Sequence, residues 1–323
     1  MTEDSPKFSL RFKQLYKLAK SQKAWGILFI LIAAAILVSM VYRERESLFK
    51  FHWQFRADFL FLFVVFHYLA MLAQTTAWHL MMTHMTGVKR LWLDFQIYTI
   101  SLVSRRIPGP VWYIGSRFAL YPPKQVSSKI IAIVTGLEFG LIGFAGIICY
   151  IIFLPFYSLS YNWPWQIFLG VGLLALFLFI FKPGIVIDLT NLLLKVLHRD
   201  PVSGNISRID LLIWLFVYFL TWCLDGASLY FWIKSVVPAS PGFMDILGIS
   251  TISALVSYVA QFLPSGFALK EITMSAMLGI WIPTSVGLIV ALGYRIVMLL
   301  VELVLAVLFR FIFFSKNIKK PLD

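Results

Sequence analysis

Charge is scarce in this chain. Of its 323 residues only 13% are Asp, Glu, Lys or Arg, while 60% are hydrophobic. A soluble domain of this length needs more polar surface than that. Cysteine is nearly absent too. Cys149 and Cys223 both sit inside apolar segments, which excludes a disulfide framework and a thiolate metal cluster and leaves two buried thiols. The five histidines have no metal-ligand spacing, and His67, His79 and His84, on or beside the second apolar run, do not compose a zinc site. There is no phosphate-cradling Walker loop, metal triad or repeat of Asp residues of the kind a metal-dependent glycosyltransferase uses. No cofactor or metal is expected, and ATP-driven pumping by this chain alone is excluded. Short alternating segments of the outer-membrane barrel type are also missing.

Long apolar runs are plentiful. Stretches near the ~20 residues needed to cross a bilayer recur throughout, among them WGILFILIAAAILVSMVY (25–42) and WQIFLGVGLLALFLFIF (165–181). The pattern predicts full spans at 25–42, 57–81, 127–154, 165–182, 209–233 and 285–312. The first run is too long for a signal-peptide core and no small-residue cleavage site follows it. Two further segments, 91–120 and 243–279, are apolar but interrupted, by IPGP (107–110) and LPSG (263–266). The expected fold class is therefore an all-α polytopic membrane protein. It has about six full spans plus two proline-glycine-broken re-entrant hairpins in an inverted repeat. A basic segment (1–24) precedes a single transmembrane domain (25–314), with half one at about 57–155, an amphipathic linker at 183–208, half two at about 209–314, and a tail at 315–323. In the linker, Ile185, Leu189, Leu192 and Val196 share one side, as in a helix lying on the membrane surface.

The net charge of +13 would raise nucleic acid as a partner in a soluble protein. Here the basic residues flank the spans, so the membrane explains them and no nucleic acid is expected. Residues 7–23 fit an interfacial helix, with Phe8, Phe12, Leu15 and Ala19 on one face, and equally a plain positive flank. If both interrupted segments enter and leave on the same side, the cations sort. The N-terminal tail, Lys89, Arg90, Lys124, Lys129, Lys182, Lys195, Arg199, Arg208, Arg310, Lys316, Lys319 and Lys320 fall on one face. Arg43, Arg45, Lys50, Arg56 and Lys234 fall on the other, where Glu44, Glu46 and Asp58 also lie. The positive-inside rule makes the richer face cytoplasmic, with both termini inside, and places Lys124 and Ser240 on opposite sides of the cytoplasmic membrane.

The interrupted segments carry the charges that lipid rejects. RRIPGPVWYIGSR (105–117) holds Arg105, Arg106, Pro108, Gly109, Trp112 and Arg117, and Glu138 follows inside the next span. The second unit has Pro264, Gly266, Lys270 and Glu271, then Arg295 inside its next span. Thirty residues separate Pro108 from Glu138 and thirty-one separate Pro264 from Arg295, with the charge signs exchanged. A single proline kink is ordinary in a membrane helix. Two copies of one layout match the plan of transporters whose broken helices meet near the midplane. An ionisable group at mid-span costs at least ~2.5–3.5 kcal/mol, so it must face a partner or a wet cavity. Glu138 and Arg295 are thus expected to contact ionisable residues of the hairpins, Arg117 and Glu271 foremost. Asp225 and Glu302 complete the polar set, Glu302 lying two turns beyond Arg295 on nearly the same face. Two readings fit: a fixed ion-pair network that holds the hairpins, or a water-accessible cavity for a charged headgroup. The half-helix after Pro108 would aim free N–H groups at an anion.

These stretches, with VSSKIIAIVTGLEFG, FLPSGFALKEITMSAMLG and ALGYRIVMLLVELV, resemble the transmembrane domain of the lysylphosphatidylglycerol synthase/flippase family, over nearly the whole chain. One departure is the second element, where the family usually has extra glycines and an arginine before the glutamate; Lys270 keeps the positive charge. The resemblance implies lipid flipping or a link to polyprenyl-phosphate sugar pathways. It also implies that this chain, ending at Asp323 without a soluble aminoacyl-transfer domain, does not make the aminoacyl lipid itself. The expected function is translocation of an anionic or zwitterionic phospholipid or a lipid-linked sugar. Membrane lipids are the expected partners, with lipid-modifying or glycosyltransferase enzymes as neighbours. The alternatives are an enzyme or enzyme subunit acting on polyprenyl-phosphate sugars, and a non-transporting scaffold for envelope synthesis.

Overall fold

A computed structural model describes residues 45–104, 110–122, 126–156, 206–238, 241–260 and 268–317, with nine single positions (42, 170, 177, 181, 182, 188, 191, 192 and 195). Apart from those single positions and 206–208, the expected spans 25–42 and 165–182 and the linker 183–208 lie outside the described residues, as do the basic segment 1–24, Lys124 and Ser240. Among those described the chain is all-helical. A short helix α1 (Arg45–Lys50) is followed by α2 (Ala57–Thr86), α3 (Leu91–Ser104), α4 (Pro110–Leu120) and α5 (Ser128–Phe153). Then come α6 (Arg208–Val236), α7 (Phe243–Ala260), α8 (Leu269–Leu278) and α9 (Thr284–Asn317). Four of these, α2, α5, α6 and α9, are long and apolar enough to cross a membrane. The order long, short, short, long occurs twice.

Burial is inverted relative to a soluble protein. Ile209, Leu212, Ile213, Phe216 and Leu220 are exposed along one face of α6, as are Ile296, Leu300, Leu303, Val304 and Val307 along α9. Their spacing is that of one helix face. Inside lie His67, Arg117, Glu138, Glu271 and Glu302. Apolar stripes of this extent on the outside fit contact with lipid.

The helix directions follow from who meets whom. The Arg56 N–H donates to Ser235 O at 3.0 Å, Ser228 Oγ donates to Phe63 O at 3.5 Å, and His84 lies 3.4 Å from Asp210. Numbers that rise along α2 fall along α6, so these two helices, the first of each half, are antiparallel. By the same test α2 and α9 are parallel, since the Phe63 ring meets Tyr294 and His67 meets Glu302. Helices α5 and α7 are antiparallel, through Phe139 with Tyr258 and Cys149 with Thr251. Packing is reciprocal: α3 of the first half packs on α9 of the second, and α7 of the second on α5 of the first.

Several boundaries differ from the sequence expectation. The span expected at 57–81 runs on to Thr86, where Gly87, at φ 69°, caps it by donating its N–H to Thr83 O. The polar residues His79, Thr83 and His84 mark where the apolar run ends, but the backbone ladder continues until a left-handed cap stops it. At the other side α6 starts on Ser207, whose Oγ accepts from the Asp210 N–H at 3.1 Å.

Two tryptophans lock α6 to the long helices of both halves. Trp222 Nε1 donates to Ile142 O at 2.9 Å beside Gly146, and Trp232 Nε1 donates to Val290 O at 2.8 Å beside Gly293. A helical side chain leans back over the preceding turn and covers its carbonyls. Glycine leaves that carbonyl open to an indole. A Cβ at Gly146 would sit 2.6 Å from Trp222 Cζ2, and the indole is held by its hydrogen bond. Gly146→Ala is expected to destabilise by ~1–3 kcal/mol through overpacking. Gly136→Ala, where an added Cβ meets nothing within 4 Å, should instead gain ~0.5–1 kcal/mol. Thermal unfolding of the two variants in detergent checks the pair.

Candidate functional site

The first polar centre is built by four helices around one arginine. Arg117 of α4 is fully buried. Its guanidinium lies 3.7 Å from the Trp78 ring centroid, 4.1 Å from Tyr113 and 5.0 Å from Tyr98, a cage of π faces. Its N–H groups donate to Ser101 Oγ at 3.3 Å, Thr135 Oγ1 at 3.4 Å, both carboxylate oxygens of Glu138, and the Tyr113 hydroxyl. Glu138 of α5 accepts further bonds from Tyr98 (2.7 Å) and Tyr113 (3.0 Å). Behind the cage, Trp78 Nε1 donates to Tyr121 at 2.8 Å. Tyr121 donates to Asp94 at 2.7 Å, and Asp94 lies 2.7 Å from His79 Nδ1. A buried ion pair is tolerable only with its remaining donors and acceptors satisfied, and here they are.

This centre also fixes the first interrupted segment. Asp94 meets Tyr121 while Tyr98 and Ser101 meet Arg117, so α3 and α4 run antiparallel as a helical hairpin. The turn of that hairpin, with Arg105, Arg106, Pro108 and Gly109, lies outside the described residues, as do Pro264 and Gly266 in the second unit.

The second centre lies in the other half. Arg295 of α9 donates to Glu271 of α8 at 2.7 Å. Glu271 is buried, but the Arg295 side chain is 28% exposed. Lys270 Nζ sits 5.4 Å from the centroid of Tyr294. Lys270, Glu271, Met274, Tyr294, Arg295 and Met298 line a half-open cavity of ≈ 20 Å³, about the room one water needs. Glu271 Oε2 has no hydrogen-bond partner among the described residues. Ala268, just before α8, has φ 77°, a left-handed backbone that strains a residue with a Cβ.

A third group joins the halves. The Tyr294 hydroxyl donates to Asp225 of α6 at 3.4 Å. Asp225 Oδ1 is 3.6 Å from His67 Nδ1, and Glu302 Oε1 is 3.8 Å from His67 Nε2.

The structure thus brings Arg117 to Glu138 and Arg295 to Glu271, the pairs that the exchanged charge signs anticipate. Asp225 and Glu302 come together, but through His67, which the sequence reading weighed only as a metal ligand. Trp112 is 53% exposed and takes no part in the cage; Trp78 stands there instead. The Arg117 N–H groups are spent on Ser101, Thr135, Glu138 and Tyr113, so this residue is a keystone of the fold rather than a free anion receptor. The aromatic cage, Asp94 and His79 were missed. Asp94 was the available signal, an acid at the start of an interrupted apolar segment. Among the described residues no group of three His, Cys, Asp or Glu side chains has the arrangement to hold a metal. No protein-family model matches the chain, and no curated protein matches its sequence.

Proposed function

We propose that this chain moves a phosphate-bearing lipid headgroup, of a phospholipid or a lipid-linked sugar, across the cytoplasmic membrane. The observation that carries the reading is the pair of opposed halves, each with a broken apolar segment whose second arm is ion-paired to the following long helix, the signs exchanged between halves. Helix α3, with 14 residues, and α4, with 11, reach only about 21 and 16 Å, short of the ~30 Å hydrocarbon core. A hairpin of that size enters and leaves on one side. Antiparallel α2 and α6 turn the two halves over relative to each other, so the second broken segment, α7–α8, would open to the opposite side. This is the inverted, re-entrant plan of alternating-access carriers. Lys270 and the half-exposed Arg295 offer cationic donors at a cavity mouth, as an anion requires. Arg105 and Arg106 would serve the other side. The acids among them keep binding weak enough for release. The sequence resemblance to the lysylphosphatidylglycerol synthase/flippase family points the same way, and membership of it is part of the proposal.

The orientation has its own test. Gln54 is bonded to the Lys234 and Val237 carbonyls at one end of the α2–α6 pair, and Lys89 follows α2 at the other end. With the cation-rich end cytoplasmic, a cysteine at Lys89 should label from inside and one at Lys50 from outside with an impermeant reagent. Labelling of both from one side would refute the arrangement.

Function is tested with the full chain in proteoliposomes, following fluorescent phospholipids and a polyprenyl-phosphate sugar in a headgroup series. Movement above that in empty liposomes is expected for at least one phosphate-bearing lipid. No movement of any of them, with or without an imposed potential or proton gradient, would overturn the reading in favour of a scaffold.

A further inference from the structure

The third polar group, around His67, lies apart from the two arginine–glutamate pairs. His67 is 3% exposed, and neither ring nitrogen has a hydrogen-bond partner among the described residues. It sits ten residues into α2, about 15 Å along the helix from its start. Its ring is stacked on Phe63, with 9° between the planes. A carboxylate oxygen faces each nitrogen: Asp225 at 3.6 Å on one side and Glu302 at 3.8 Å on the other.

A neutral imidazole has one N–H and one lone pair. Between two ionised carboxylates it must aim the lone pair at one of them. A proton added to the ring, or to either acid, removes that repulsion. The doubly protonated ring donates in both directions, and each distance needs to shorten by less than 1 Å to become a hydrogen bond. Among the described residues, the charged and titratable groups around the ring come from three further helices. Asp225 is on α6, Tyr294, Arg295 and Glu302 are on α9, and Lys270 and Glu271 on α8 reach the cluster through Tyr294 and Arg295. With His67 protonated the cluster balances: three cations (His67, Lys270 and Arg295) against three anions (Asp225, Glu271 and Glu302). An entering anionic headgroup then adds negative charge to a neutral cluster, where a lost proton would leave it facing net negative charge.

We propose that Asp225, His67 and Glu302 form a proton-binding site at the centre of the bundle, and that its proton and an anionic headgroup bind together. The second clause rests on the translocation reading; the first stands without it. By linkage, each ligand strengthens the other by the same factor. Translocation of the anion is accordingly driven by a proton gradient along the same path.

Two measurements separate the clauses. The full chain, labelled with ¹⁵N-histidine in nanodiscs, reports the state of the His67 ring, assigned from the signal lost in His67→Gln. A ring signal whose dependence on pH differs between wild type and Glu302→Gln is the expected result. The same dependence in both proteins overturns the proton site. In proteoliposomes containing headgroup-intact, tail-labelled phosphatidylglycerol, a pH gradient should accelerate movement by wild type. The ratio of gradient-driven to gradient-free rate should fall to one in His67→Gln, and also in Glu302→Gln, which keeps the side chain's shape. Wild type that moves lipid at the same rate with and without the gradient overturns the coupling and leaves the translocation reading intact. Wild type that moves no lipid overturns translocation and coupling together, while the ring signal still decides the proton site.

Discussion

Glu138→Gln is expected to lower unfolding free energy by ~3–5 kcal/mol, the loss usual when one partner of a buried ion pair is removed. The reason lies in how completely the carboxylate is used. Glu138 is 1% exposed and accepts from Tyr98, Tyr113 and two nitrogens of Arg117. Without its charge, Arg117 stays fully buried among Trp78, Tyr98 and Tyr113 with no counter-ion. The π faces soften that penalty by only ~2 kcal/mol. Lys234→Met is the control. Lys234 is half-buried at the end of α6, its Nζ 5.7 Å from the Tyr230 centroid, and should change stability by no more than ~0.5 kcal/mol. The double variant Arg117→Met with Glu138→Leu should recover most of the loss, because it leaves no uncompensated charge. Thermal and denaturant unfolding in detergent, on the same preparations, supplies all the values. A Glu138→Gln protein as stable as wild type would show that the cage alone holds Arg117.

Under the proposed headgroup translocation, Arg295→Met is expected to act on transport rather than on folding. Its side chain is 28% exposed and lines the cavity with Lys270, so removing it leaves Glu271 near water. A charge-assisted hydrogen bond to a headgroup phosphate is worth ~1.5–3 kcal/mol. Its loss corresponds to roughly a 10- to 150-fold lower translocation rate at sub-saturating lipid. Glu271→Gln should move binding in the other direction. It frees Arg295 from its 2.7 Å partner, tightens anion binding and slows release. Initial rates against lipid fraction, in proteoliposomes of matched protein content, separate the two effects. Equal rates for wild type and Arg295→Met would remove Arg295 from the headgroup path.

How much of this was legible in the sequence depends on which force fixes each feature. The four described helices long and apolar enough to cross a membrane were, because a bilayer demands ~20 apolar residues in a row and the runs satisfy it directly. The reversal of the first interrupted segment was, because proline removes a backbone donor and disfavours a continuous helix, and the flanking helices α3 and α4 do run antiparallel. The partners of Glu138 and Arg295 were also legible. A charge in lipid has so few admissible neighbours that matched spacing and opposite sign sufficed. Helix ends were less so: α2 runs to Thr86 because a glycine cap, not hydropathy, stops it.

Tertiary structure alone decided the rest. Trp78 and Tyr98 read as ordinary apolar residues of their helices, and nothing local marks them as the walls around Arg117. They become so because α2 and α3 pack on the hairpin that carries it. His67 looked like an isolated histidine. Its meaning comes from Asp225 and Glu302, which lie more than 150 residues away in sequence and meet it only because α6 is antiparallel and α9 parallel to α2. Apolar content and charge placement are properties of single segments, so the chain states them openly. The direction in which one helix passes another is set by packing across the whole bundle, and the groupings of polar side chains that depend on it cannot be read before the bundle forms.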